Sequence, residues 1–177
     1  MKYIFRVLLF NVFIFALIGC KSTVTIAELN TLKEVVENQN FKFVANSATP
    51  MAIAGVRGLE SLLPVGSNLA NINLIGNPNY LIIKNDSLKF YMPYFGERRM
   101  GGAYRTSNNG LSYHGVIKNL DMEFNAKKNS YQINCKINES QENLVLTLTM
   151  YANKSASLRV ISSHRNAINY TGNWQTE

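Results

Sequence analysis

Tyr131-Gln132-Ile133-Asn134-Cys135-Lys136-Ile137, followed after a polar interval by Leu144-Val145-Leu146-Thr147-Leu148-Thr149-Met150-Tyr151, is the passage that decides the fold. Tyr131, Ile133, Cys135 and Ile137 alternate with Gln132, Asn134 and Lys136, while Leu144, Leu146, Leu148 and Met150 alternate with Val145, Thr147, Thr149 and Tyr151. Successive side chains of a strand point to opposite faces, so each run has one apolar face and one more polar face. The interval from Asn138 to Asn143 is too short for a crossover, and the two strands must run antiparallel.

The same reading extends in both directions. Leu120, Met122 and Phe124 share one face upstream; Leu158 and Val160, then Ile168, Tyr170 and Trp174, continue downstream. Polar turns at Asn125 to Ser130, Ala152 to Ala156 and Arg165-Asn166 separate them. Earlier in the chain, Tyr80 to Lys84 and Ser87 to Met92 flank Asn85-Asp86, residues that tolerate positive φ, which predicts a hairpin. Ile72 and Leu74 mark another strand. Phe41, Phe43 and Ala45 alternate with Lys42 and Val44 in the first one, which Pro50 ends; from there to Pro64 the pattern is ambiguous, with Gly55 and Gly58 weakening any regular element.

One helix precedes the strands. Thr25 stands three residues before Glu28, the capping-box spacing, and Ile26, Leu29, Leu32, Val35 and Val36 recur at helical intervals through Asn38. The fold class expected is therefore mainly β, with an α+β description also open: a curved antiparallel meander sheet or partial barrel with one N-terminal helix. Its apolar face must be covered by the sheet curling on itself or by that helix.

The start of the chain has the layout of an export signal, with Lys2 and Arg6 ahead of an apolar run from Val7 to Ile18 interrupted only by Asn11. That run is short for a membrane span, which needs about 20 apolar residues. Leu17-Ile18-Gly19-Cys20 resembles the lipobox of bacterial lipoproteins, which implies cleavage before Cys20 and a diacylglyceryl thioether on its sulfur. The expected organisation is a signal over residues 1–19, a lipidated tether over 20–24 and a single β-rich domain over 25–177. With Cys20 acylated, Cys135 has no intramolecular partner, so the core must hold the fold without a cross-link.

Composition narrows the partners. Hydrophobic content of 46%, nine Tyr and nine Phe against 16% charged residues excludes a disordered chain and favours sheet. The formal charge is +7, to which Lys2 and Arg6 contribute before the signal leaves. A surplus of that size on an exported protein points to anionic envelope components or a protein partner, not to nucleic acid.

Four stretches together resemble domain-of-unknown-function family 4251, small lipoproteins typical of Bacteroidetes: Phe41-Lys42-Phe43-Val44-Ala45 with Pro50, Tyr91-Met92-Pro93-Tyr94-Phe95-Gly96, Gly110-Leu111-Ser112-Tyr113, and Ser162 through Gly172. The resemblance covers nearly the whole mature chain, with Met92 where Leu is usual, and implies an exported, membrane-anchored β-rich domain without assigned catalytic residues.

Catalytic and metal chemistry finds little support. His114, His164 and Cys135 lack second ligands at metal spacing, no cofactor signature is present, and Cys135 lies on the apolar parity of its strand. There is no Gly-x-Ser-x-Gly elbow; Asp86 falls in a turn and Asp121 on an exposed parity. The stretch from Tyr94 to Arg105 is the candidate binding loop, in which Tyr94, Phe95 and Tyr104 interleave with Arg98, Arg99 and Arg105 around Gly101-Gly102. Guanidinium forks match carboxylates and phosphates, and rings stack. An alternative assigns Tyr94 and Phe95 to plugging the sheet end and leaves the arginines solvated. The function expected is a non-enzymatic binding or structural module anchored in the cell envelope, most naturally the outer membrane, facing periplasm or surface. The alternative is a small-ligand carrier with a pocket inside the curved sheet.

Overall fold

The capping box opens the first element. The computed structural model describes residues 24–51, 63–99, 110–117, 119–138 and 142–177, so the expected signal over 1–19 and the expected lipidation site Cys20 lie outside the described residues. Helix α1 spans Ile26–Glu37. At its start Glu28 N donates to Thr25 Oγ1 at 3.2 Å, and Thr25 N donates to Glu28 Oε2 at 2.8 Å. The Thr25 N–H bond, together with the Thr25 hydroxyl donating to the same Oε2 at 2.9 Å, stabilises the charged carboxylate and lowers the Glu28 pKa. Leu32, Val35 and Val36 are buried, but Ile26 is 79% exposed. The apolar stripe is thus longer than the contact it makes: only the last two turns rest on the sheet, and the first projects beyond it.

Ten strands follow among the described residues: β1 Asn40–Pro50, β2 Ile72–Asn73, β3 Tyr80–Lys84, β4 Ser87–Pro93, β5 Gly110–Val116, β6 Leu120–Asn125, β7 Ser130–Asn138, β8 Asn143–Tyr151, β9 Ser155–Ser162 and β10 Ile168–Thr176. They form one sheet in the order β5-β4-β3-β1-β10-β9-β8-β7-β6, with β2 paired to β1 beside that path. The ladder is antiparallel throughout. Two meanders, β3 to β5 and β6 to β10, are therefore joined through β1. On one edge β1 pairs with β3 over Asn40 to Phe43 and with β2 over Ser47 and Ala48; its other edge takes β10.

Strands β5 and β6 stand at opposite ends of this order, yet only residues 117–119 separate them in the chain. Four Cα steps reach at most roughly 14 Å. The two edges must approach each other at that corner, and the sheet curls into a half-barrel. Its apolar face turns inward, where Phe41, Phe43, Leu81, Phe90, Leu146 and Tyr170 are buried, with α1 against β1.

The β1–β10 seam contains the main irregularity. Its register shifts between Ala45 and Ser47, leaving Asn46 as an extra residue opposite Gly172 and Thr171. A Cβ on Gly172 would overlap the Val44 carbonyl oxygen and lie 2.7 Å from Ala45 Cα, so the two backbones meet where only glycine fits. Buried Asn79 completes the bulge: its Oδ1 accepts from Ala45 N at 2.6 Å, and its Nδ2 donates to the Ala45 and Asn77 carbonyls at 3.0 Å.

The hairpin at Asn85-Asp86 forms as expected, with Asn85 at φ +52°. The strand β5 was not among the elements that alternation predicts. Gly110, Ser112, His114 and Gly115 dilute its apolar signal, and as an edge strand it buries fully only Gly110 and Leu111.

Candidate functional site

The site is assembled where β4 ends and the β9–β10 turn passes beside it. After Pro93 the chain leaves the sheet, and Tyr94 and Phe95 stay half-buried against the core, as the plugging alternative requires. The Tyr94 hydroxyl lies 2.9 Å from the carbonyl oxygens of Glu97 and Asn166 and shares its one proton between them. Its ring covers Gly96 so closely that a Cβ there would overlap the hydroxyl. Burial raises the Tyr94 pKa, and the Arg165 cation beside it partly opposes that shift.

Glu97 to Arg99 then pairs with His164 to Asn166 as a short antiparallel bridge. Arg99 N donates to His164 O at 2.7 Å, Asn166 N donates to Glu97 O at 3.0 Å, and Arg98 stands opposite Arg165. Side chains reinforce it. The buried Asn166 accepts from Arg99 Nε through Oδ1, and its Nδ2 lies 3.5 Å from Glu97 Oε2.

Arg165 is the fixed cation of this corner, its side chain only 12% exposed. Its guanidinium carbon sits 5.2 Å from the Tyr94 ring centroid, and Nη1 donates to Gly110 O at 3.3 Å. Nε is 3.1 Å from Glu142 Oε1, an ion pair by distance whose N–H is not aimed for a hydrogen bond. Glu142 also accepts from the Ser162 hydroxyl, and Ser162 Oγ in turn accepts the backbone N–H groups of His164 at 2.9 Å and Arg165 at 3.0 Å. Below this layer Tyr170 Oη donates to Pro93 O at 2.8 Å, and burial raises its pKa strongly.

Three arginines thus stand in three states. Arg165 is held on several sides, Arg99 commits Nε to Asn166, and exposed Arg98 makes no side-chain hydrogen bond or ion pair among the described residues. The structure brings Tyr94, Phe95, Arg98 and Arg99 together; Tyr104 and Arg105 lie outside the described residues. Sequence reasoning missed Arg165, Asn166 and Glu142. For Arg165 and Asn166 the available signal was the Ser162 to Gly172 stretch, where they read as a polar turn; Glu142 falls in the polar interval from Asn138 to Asn143, which carries none.

The remaining candidates for chemistry lie elsewhere. His114 is exposed on edge strand β5, and the His164 ring touches the Ser163 hydroxyl at 3.4 Å. Cys135 is buried, and desolvation pushes its thiol up to about 11, the opposite of what a nucleophile needs. No group of three potential metal-ligating His, Cys, Asp or Glu occurs among the described residues. What the corner offers is a rigid support presenting guanidinium donors that can take a carboxylate or phosphate.

No curated protein matches the chain. Among solved structures, it is similar to a DUF4251 family protein from Bacteroides eggerthii, with a TM-score of 0.54 at 11% identity, covering 85% of this chain and 88% of that one. Likeness at that identity shows the fold alone. The family model for the domain of unknown function DUF4251 matches residues 24–174, from the helix through the central strand β10, and the chain belongs to that family.

Proposed function

We propose that the protein is a lipid-anchored, non-enzymatic binding or structural module of the cell envelope, and that it contacts an anionic component through its arginine corner. The observation that carries the binding site is the contrast between Arg165, spent on structure, and Arg98, whose donors are free among the described residues. The Tyr94–Glu97–Asn166 scaffold holds the backbone of both in place, so contact need order only the Arg98 side chain and not the loop that carries it. The lipobox-like Leu17-Ile18-Gly19-Cys20 supports the anchor, with the outer membrane as its site and the domain facing periplasm or surface. The inward face filled by Phe41, Phe43, Phe90 and Tyr170 favours this reading over a carrier with a pocket inside the sheet.

The test is a pull-down from envelope extract with the native chain and an Arg98→Ala, Arg99→Ala, Arg105→Ala variant. An anionic component retained by the first and lost by the second is expected, with retention weakening as salt rises. Equal recovery of every component removes the corner from the proposal. Labelled palmitate should enter the native chain and not Cys20→Ala; no incorporation into either overturns the anchor.

A further inference from the structure

A second surface lies away from the arginine corner. On the outer face, where β6 borders the sheet, Asn119, Leu120, Asp121, Asn134, Lys136 and Val145 line a cleft of about 520 Å³. We propose that this cleft binds a neutral polyhydroxylated chain, a glycan, which continues from it across the strands.

Three observations carry the assignment. First, the cleft mixes donors and acceptors above an apolar wall. Asp121 accepts, Lys136 donates, the amides of Asn119 and Asn134 do both, and Val145 and Leu120 supply carbon surface. That is the chemistry of a sugar ring, which presents hydroxyls at its rim and C–H groups on its faces. Second, the charges cancel. One carboxylate and one ammonium make the cleft neither an anion trap nor a cation trap, in contrast to the arginine corner. None of the four polar side chains is engaged in a hydrogen bond among the described residues, so their capacity is open to a ligand.

Third, the cleft opens onto a track. Register places Asp121, Asn134, Thr147, Arg159, Asn169 and Thr49 side by side across β6, β7, β8, β9, β10 and β1. Neighbouring strands are about 4.8 Å apart, so the row runs roughly 24 Å. A second row parallel to it contains Gln132, Thr149, Ser157 and Thr171. Hydroxyls and amides dominate both rows between the strands, with Arg159 as the cation among them, a surface suited to successive hydroxyl contacts and not to a polyanion.

Native gel electrophoresis of the full chain in mild detergent tests this, with hydroxyethylcellulose, xyloglucan, galactomannan or dextran cast in the gel and polygalacturonate as the anionic comparison. At least one neutral polysaccharide should retard the protein. An Asn134→Ala, Lys136→Ala variant should bind it about tenfold more weakly, the effect of losing roughly 1.4 kcal/mol of contacts. Val145→Lys, which fills the cleft from another strand, should give a comparable loss, whereas Arg98→Ala, Arg99→Ala should be retarded like the native chain. No retardation in any neutral gel overturns the proposal. So does retardation that both cleft variants retain, or retardation by polygalacturonate alone that the arginine variant abolishes; the last outcome would leave the anionic reading of the corner standing.

Discussion

Gly172 and Phe124 belong to the same sheet and live under different constraints. Gly172 lies at the centre, where β10 crosses the β1 bulge and the backbones approach too closely for any side chain. Phe124 lies on edge strand β6, on the inward parity, yet is 45% exposed and rests only against neighbours such as the Tyr131 ring, 5.0 Å away. Stability is concentrated in the seam, where β1 and β10 each have a neighbouring strand on both edges and their inward side chains are buried. The edges have surface to spare, and both candidate sites lie toward them: the arginine corner borders β5 through the Arg165 bond to Gly110, and the outer cleft borders β6. Loosely covered regions are where binding surfaces can be built at least cost to the fold.

The sharpest way to break this contrast is Gly172→Val. The added side chain would meet Val44 and Ala45 backbone, which cannot move without unzipping the seam, and a loss above about 4 kcal/mol is expected. Circular dichroism should show a chain unfolded or melting far below the native one. A cooperative melt near the native temperature would show that the seam is pliable. Asn79→Ala comes next, because it orphans the Ala45 N–H and C=O inside the bulge at roughly 1–3 kcal/mol for each group. Urea unfolding should place Tyr170→Phe below it, since only the Pro93 carbonyl loses a partner, at about 1–3 kcal/mol.

Alkaline pH probes the covered side of the β6–β8 half. The Cys135 thiol is raised in the folded protein to about 11 from 9.0, so the native state keeps its proton after the unfolded chain has lost it. The stability this provides is complete below pH 9 and is lost as pH rises toward 11. The buried tyrosines act in the same direction at higher pH. Melting temperature should therefore fall across that window, and fall less steeply for Cys135→Ala, whatever that variant loses at neutral pH. Phe124→Ser should have the smallest effect, under about 1 kcal/mol, because its ring is already half in water. A larger loss in urea unfolding would mean that the edge is covered by something more than Tyr131.

The same contrast explains what could be read from residues alone. Alternation works where one face is buried and the other wet, so β1, β3, β4 and β6 to β10 were legible from their apolar parity. It fails at β5, whose edge position tolerates glycine and histidine. Periodicity also says which face a residue takes but not which strand lies beside it. That β1 pairs with β10 is a property of the whole chain, and no local pattern encodes it. For the corner, Tyr94, Phe95, Arg98 and Arg99 were visible because aromatic and basic residues cluster in one segment. Arg165 was not, since it lies in a polar turn near position 94 only after the sheet has formed. Helix amphipathicity overstated contact for Ile26 because spacing records which residues share a side, not how far a partner surface extends beneath them.

The pairing of the first long strand with the last has a kinetic side. Phe41 meets Thr176 across almost the full length of the domain, so the loop-closure entropy must be met before the centre gains any of its contacts. Until its final residues are available, the chain holds β1 joined to the β3–β5 meander through β3, a second meander that stops at β9, and an open β1 edge between them. A nascent or threaded polypeptide of this design stays unlocked along its length, and loss of the whole of β10 would leave the middle of the sheet without its clasp.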